Sequence, residues 1–328
     1  MASWSCLRRP NDPLRRGPSL RGGGPLPHLI SAARRRKQGM SSPTSAALNF
    51  DAERLAQLVQ DIGIPPRPSL LERLHQELSS QRPRLDVLVQ VASSDVAVSA
   101  ALVKISNAPW LGLNRPIGNV RLAFERLGAV RCTAILSALV LRRVLPCTGP
   151  SLERFWDVAQ RRSIAMGWLA AQDRRVEPDL AHSFGLFCDI GIPVLMPRFE
   201  SPSYRVTLAE ANLGHRSFTD VEFARHGTHH ALVGATMAAS WGLSDEIVQA
   251  LALHHDYRCL GSKDVPERVQ VLVALALLAE RIIQRHHGMN RHGEWQRGGR
   301  QALLVLDVTP HQFENWTDEV QAQLELCF

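Results

Sequence analysis

From Phe50 onward, apolar residues recur three and four positions apart, the spacing of one face of a helix. Leu55, Leu58 and Ile62 form the first such set, and Gly63 with Pro65-Pro66 stops it. Leu70, Leu71, Leu74 and Leu78 form the next, then Leu85, Leu88, Val89 and Val91. Asp95 precedes Val96, Val98, Ala101, Leu102 and Ile105 as an N-cap, and Asn107-Ala108-Pro109 ends that segment. Val120 to Leu145 is long and apolar, with Gly128 inside it. Ile164, Ala165, Trp168, Leu169 and Ala171 continue the pattern. Thr219 and Glu222 have the spacing of a capping box. Ala231, Gly234, Ala235, Ala238 and Ala239 give one helix a small-residue surface suited to close helix packing. Ser244 or Asp245 caps the next helix, which ends in His254-His255-Asp256. Residues 286–300 read as an exposed loop. Gln301–Leu306 and a helix started by Thr309 (N-cap), Pro310 (N1) and Gln312 (N3) then close the chain as a hairpin. No useful length alternates with period two, so the expected class is all-α.

Composition sets limits on this picture. A hydrophobic fraction of 45% supports a core. The longest apolar run, Val269 to Ala279, is interrupted by Gln270 and is too short to cross a bilayer. Six cysteines (Cys6, Cys132, Cys147, Cys188, Cys259, Cys327) show no C-x-x-C spacing, which points to reduced thiols and a cytoplasmic location. The net charge of +7 is misleading. Residues 1–39 hold nine Lys/Arg and one Asp, whereas the rest holds 29 basic and 30 acidic residues. The excess charge therefore sits in an Arg-, Pro-, Gly- and Ser-rich tail that cannot bury a core. Nucleic acid is an expected partner only through that tail. The composition changes at Met40, which is read as the start of translation, ahead of a basic arm or an organellar presequence. Removing residues 1–39 is expected to leave the thermal unfolding transition unchanged. A fall of many degrees in a calorimetric scan would contradict this.

The chemistry centres on Gly185-Leu186-Phe187-Cys188-Asp189-Ile190-Gly191, a lone carboxylate at the end of an apolar helix. A buried Asp needs a metal, a cation or several donors. Alternatively, Asp189 caps the next segment, where Gly191 and Pro193 break the helix. There is no G-x-S-x-G, no P-loop and no G-x-G-x-x-G.

This stretch resembles the His-Asp-Ile-Gly signature of the HD metal-dependent phosphohydrolases, with Cys188 at the histidine position. Other residues match a second pattern in consistent order: Ile64-Pro65-Pro66-Arg67-Pro68, Asp95 to Leu102, Asn107, Gly112, Arg115-Pro116-Ile117, Ala123 and Leu127-Gly128. Across about residues 62–258 the chain resembles the HDOD family, the HD-related output domains of bacterial signalling proteins. The resemblance implies a two-lobed all-helical fold. It assigns residues 1–47 to a tail, 48–148 to an N-terminal helical lobe, and 149–328 to a degenerate HD-like lobe with a C-terminal helical extension.

Carried over residue by residue, the HD metal site becomes Arg162, Cys188, Asp189 and Glu280, with His230, His254 and His255 as intervening histidines. Arg162 is no ligand, because it stays protonated. No metal, cofactor or catalytic residue is expected on this ground. His254 and His255, adjacent on a helix, would point about 100° apart and could not both face one ion without distortion. Arg162 is expected to pair with Asp189, and the alternative is that both Arg161 and Arg162 reach solvent. The implied function is a non-enzymatic bacterial signal-transduction output or scaffold protein with protein partners and no membrane association. The alternative is a divergent metal-dependent phosphohydrolase acting on a nucleotide or cyclic dinucleotide.

Overall fold

The computed structural model describes residue 60 and residues 63–327, apart from 66, 79, 108–114, 146–149, 200, 202 and 289–292. The basic tail, the segment of Leu55, Leu58 and Ile62, His292, and the expected boundaries after residues 47 and 148 lie outside the described residues. Every regular element among the described residues is helical, as the apolar spacing predicts.

Five helices form the first group: α1 (Ser69–Leu78), α2 (Leu85–Ala92), α3 (Val96–Ser106), α4 (Val120–Leu127) and α5 (Ala129–Val144). Asp95 caps α3 by accepting from the amides of Ala97 and Val98. The Asn107 side chain closes α3 by pairing with both backbone groups of Ile117, at 2.7 and 2.8 Å. The long apolar run breaks at Gly128, whose φ of +83° separates α4 from α5.

The second group comprises α6 (Pro150–Asp173), α7 (Pro178–Phe187), the short α8 (Gly191–Leu195), α9 (Tyr204–Ala211), α10 (Phe218–His226), α11 (His230–Ser240), α12 (Asp245–Leu253), α13 (Glu267–His286), α14 (Gly293–Leu306) and α15 (Pro310–Cys327). The apolar run from Val269 lies on α13, which is buried on nearly all sides. A helix apolar all round must sit inside, and α13 packs on α6, α7, α12, α14 and α15. No single helix among the described residues is long and apolar enough to cross a membrane. Ser244 caps α12 through the Ile247 amide, and Thr309 caps α15 through the Gln312 amide at 3.1 Å.

Two expectations are corrected. The N-cap of α10 is Ser217, and no side-chain capping bond forms there. Glu222 instead turns inward, fully buried, to His230 and Tyr204. Residues 293–300 are helical, not loop. Gly298 and Gly299 suggested a loop, but they serve close packing: a Cβ at Gly298 would stand 2.5 Å from the Tyr257 ring, and one at Gly299 2.6 Å from Trp295.

Candidate functional site

Two glycines of the Gly185–Gly191 stretch bring the site together. A Cβ at Gly185 would lie 2.9 Å from Ser163 Cα and 3.1 Å from the Arg162 carbonyl, so its absence lets α7 close on α6 beside Arg162. A Cβ at Gly191 would lie 2.1 Å from the His230 carbonyl oxygen, so its absence lets the turn after α7 touch the start of α11. Asp189 lies between these two contacts.

Arg162, only 4% exposed, donates from Nη2 to Asp189 Oδ2 at 2.7 Å and to Glu280 Oε2 at 3.1 Å. The expected ion pair is present, with Glu280 as a third member. Gln284 Nε2 donates to the other Glu280 oxygen at 3.1 Å. Asp189 does not cap a helix with its side chain; its carboxylate faces Arg162, His230 and His254. Burial alone would raise the Asp189 pKa. The guanidinium and the two imidazoles outweigh it and hold the carboxyl well below the usual range. Arg161 points elsewhere and pairs with Asp157 one turn earlier at 3.0 Å.

The histidines converge from two elements. His230 opens α11, and its Nε2 lies 3.2 Å from His254 Nε2, 3.1 Å from His255 Nε2 and 3.4 Å from Asp189 Oδ1. His254 Nε2 lies 3.5 Å from the same oxygen. The ligand atoms of Asp189, His230, His254 and His255 all fall within 4.8 Å of one another. This corrects the expectation that His254 and His255 could not share a target. The α12 helix stops at Leu253, so the 100° helical step does not govern the two rings that follow.

Each imidazole is oriented from behind. His230 Nδ1 meets Glu222 Oε2 at 2.7 Å, His254 Nδ1 meets the Leu251 carbonyl at 2.7 Å, and His255 Nδ1 meets Glu294 Oε2 at 3.3 Å. Glu222 is held in turn by the Tyr204 hydroxyl, and Glu294 by Arg297 at 2.7 Å. Burial opposes charge on all three rings. In His230 it is outweighed by Glu222 and Asp189, which push the ring up to about 9. In His254, Cys188 and Asp189 push it up to about 10. In His255, burial and the neighbouring His254 hold it down to about 4.

Glu222 and Glu294 are the residues that sequence reasoning missed, one read as a cap and the other as loop. Cys188 lines the cleft but stands outside the converging donor set. His226 and His229 serve elsewhere: His226 Nε2 contacts Thr207 Oγ1 at 2.8 Å, and His229 caps α11 through the Leu232 amide. The cleft bounded by Arg162, Asp189, His254, His255 and Glu280 encloses about 30 Å³.

With this geometry established, the profile of the HDOD domain family matches residues 64–257. The chain belongs to the HDOD domain family. A protein of Treponema pallidum (strain Nichols) of uncharacterized role is 23% identical over 250 residues; these cover 75% of this chain and 47% of that protein, so the chain spans about half the relative's length. Solved structures show the same fold at low identity. An HDOD domain protein of unknown function from Geobacter sulfurreducens is 18% identical, with a TM-score of 0.59 over 85% of this chain and 99% of that one. A candidate phosphohydrolase from Shewanella amazonensis SB2B is 18% identical, with a TM-score of 0.64 over 83% and 96%. A candidate signal transduction protein from Marinobacter aquaeolei VT8 is 19% identical, with a TM-score of 0.59 over 92% and 65%. The HDOD assignment and the shared helical fold fit a regulatory output domain.

Proposed function

We propose that this HDOD chain is a non-enzymatic output or scaffold protein of cytoplasmic signal transduction, acting through protein partners. The observation that carries the reading is Arg162, bound into both Asp189 and Glu280 at the centre of the cleft. Two-ion phosphoester hydrolysis needs anions free to hold both ions and to activate water. Here two of those carboxylates already share a fixed cation. The residues therefore do not fit a two-metal centre, and no hydrolytic step is derived through one.

Size supports the same reading. A cavity of about 30 Å³ is far below the ~300–1,000 Å³ of small-molecule sites. It accommodates an ion or a water, not a nucleotide. The second reading, a divergent phosphohydrolase acting on a nucleotide or cyclic dinucleotide, is favoured by the three histidines and Asp189 alone.

Purified full chain, with or without added Mn²⁺ or Zn²⁺, is expected to show no turnover of nucleotide monoesters, phosphodiesters or cyclic dinucleotides above a buffer control. Metal-dependent turnover that disappears in Asp189→Asn would overturn the proposal.

A further inference from the structure

We infer that the cavity between α5, α6, α7 and α15 binds a small zwitterion, an α-amino acid with an apolar side chain, which sets its carboxylate on Arg131, its ammonium on Asp179 and its side chain against Trp168. The cavity shares no lining residue with the cleft around Asp189. The inference therefore stands apart from the non-enzymatic reading above.

The apolar stripe of α6 is the first argument. Ala165 and Leu169 of that stripe are fully buried. Ile164, Trp168 and Ala171, on a neighbouring line of the same helix, are not, and they open on a cavity of about 270 Å³. Trp168 is held from α15 by Trp316, edge-on with ring centroids 6.3 Å apart. The protein thus fixes the indole before any ligand arrives. Gln323, further along α15, closes one side of the cavity. The volume lies just under the ~300–1,000 Å³ of drug-sized sites, which suits a molecule of amino-acid size.

Charge supplies the second argument. Arg131 in the first turn of α5 and Asp179 in the first turn of α7 both line the cavity. Their nearest charged atoms stand 3.7 Å apart, and neither charged group makes a hydrogen bond among the described residues. A plain carboxylate drawn to Arg131 would meet the like charge of Asp179. A plain amine drawn to Asp179 would meet Arg131. A molecule with both charges on adjoining atoms satisfies each, and its apolar remainder covers Ile164 and Trp168.

His182, one turn after Asp179, adds a donor. Its Nδ1 is sealed from solvent and has no hydrogen-bond partner. Burial and the neighbouring Arg131 hold the ring down to about 4, so near neutral pH it carries a single proton. A proton on Nδ1 would bury a donor without an acceptor. A proton on Nε2 leaves an N–H that the cavity can reach, a second donor for a carboxylate beside Arg131.

The test is calorimetric titration of the full chain with L-leucine and L-phenylalanine. The controls are isocaproate, which lacks the ammonium, isoamylamine, which lacks the carboxylate, and L-glutamate, which lacks the apolar side chain. One site per chain is expected for at least one of the two apolar amino acids, with a higher unfolding temperature when it is bound. Loss of either charge-assisted contact should weaken binding about 10–100-fold, in isocaproate and isoamylamine as in the variants Asp179→Asn and Arg131→Gln. Both side chains are partly exposed, so both variants should fold. The wild-type panel decides even if one does not. No heat and no thermal shift with either apolar amino acid up to its solubility limit overturns the site. Isocaproate or isoamylamine binding as tightly as leucine overturns the zwitterion, and L-glutamate binding as tightly overturns the apolar wall. Unchanged leucine and phenylalanine binding in both variants would place the ligand elsewhere. Amino-acid binding and phosphodiester turnover are separate readouts, so failure here leaves the non-enzymatic reading standing, and turnover leaves this site standing.

Discussion

Arg162→Leu is expected to destabilise the folded chain by about 3–5 kcal/mol, because it removes the cation that binds two buried carboxylates, Asp189 and Glu280, at once. Arg162 is nearly inaccessible and binds Asp189 at 2.7 Å and Glu280 at 3.1 Å. The loss of its positive charge, more than of its packing, sets the size of the effect. The carboxylates should be neutralised in steps. Adding Asp189→Asn to Arg162→Leu should recover only part of the loss, because Glu280 stays charged and buried. Adding Glu280→Gln should recover more, since a neutral set of similar volume can match a buried ionic one. Urea unfolding of the three variants measures the series. Equal stability of Arg162→Leu and the wild type would show that the triad carries no structural role. Full recovery by Asp189→Asn alone would show that Glu280 is not part of the coupled set.

Gly191→Ala is expected to cost at least about 3 kcal/mol, more than any other single methyl group added in the Gly185–Gly191 stretch. The new Cβ would sit 2.1 Å from the His230 carbonyl oxygen and 2.8 Å from its carbonyl carbon. Those are backbone atoms at the start of α11, so relief requires the turn or the helix to move. Gly185→Ala meets Ser163 Cα at 2.9 Å and should cost less. Gly118→Ala meets nothing within 4 Å and should change stability by no more than about 0.5 kcal/mol. Denaturant midpoints should follow that order. Wild-type stability in Gly191→Ala would mean that the turn does not press on α11.

Helix existence was readable from the chain because apolar spacing and caps are local. Asp95, Ser244 and Thr309 cap the helices that their positions predict. The HDOD family pattern and the Arg162–Asp189 pair were readable as well, since a retained buried carboxylate calls for a cation and an arginine stood at the vacated ligand position. Local reasoning failed where a residue answers to a distant partner. Glu222 has the spacing of a cap, yet its partner is His230 eight residues later and outside its own helix. Gly298 and Gly299 read as loop because glycine is flexible in isolation. In the fold they sit under Tyr257 and Trp295, where any side chain would collide.

The sequence by itself determined an all-helical chain, several of its caps and its longest apolar run, because periodicity of 3.6 and capping chemistry act within a few residues; its motifs carried the resemblance to the HDOD family. It also raised the expectation that Arg162 answers Asp189, because charge cannot be buried alone, and the structure decided between that pair and its solvent-exposed alternative. Only the tertiary structure decided that His254 and His255 turn toward one point, because that depends on α12 ending at Leu253. Only the tertiary structure placed His230 beside them, because that depends on the absence of a single Cβ at Gly191, where two segments about forty residues apart in the chain come into backbone contact.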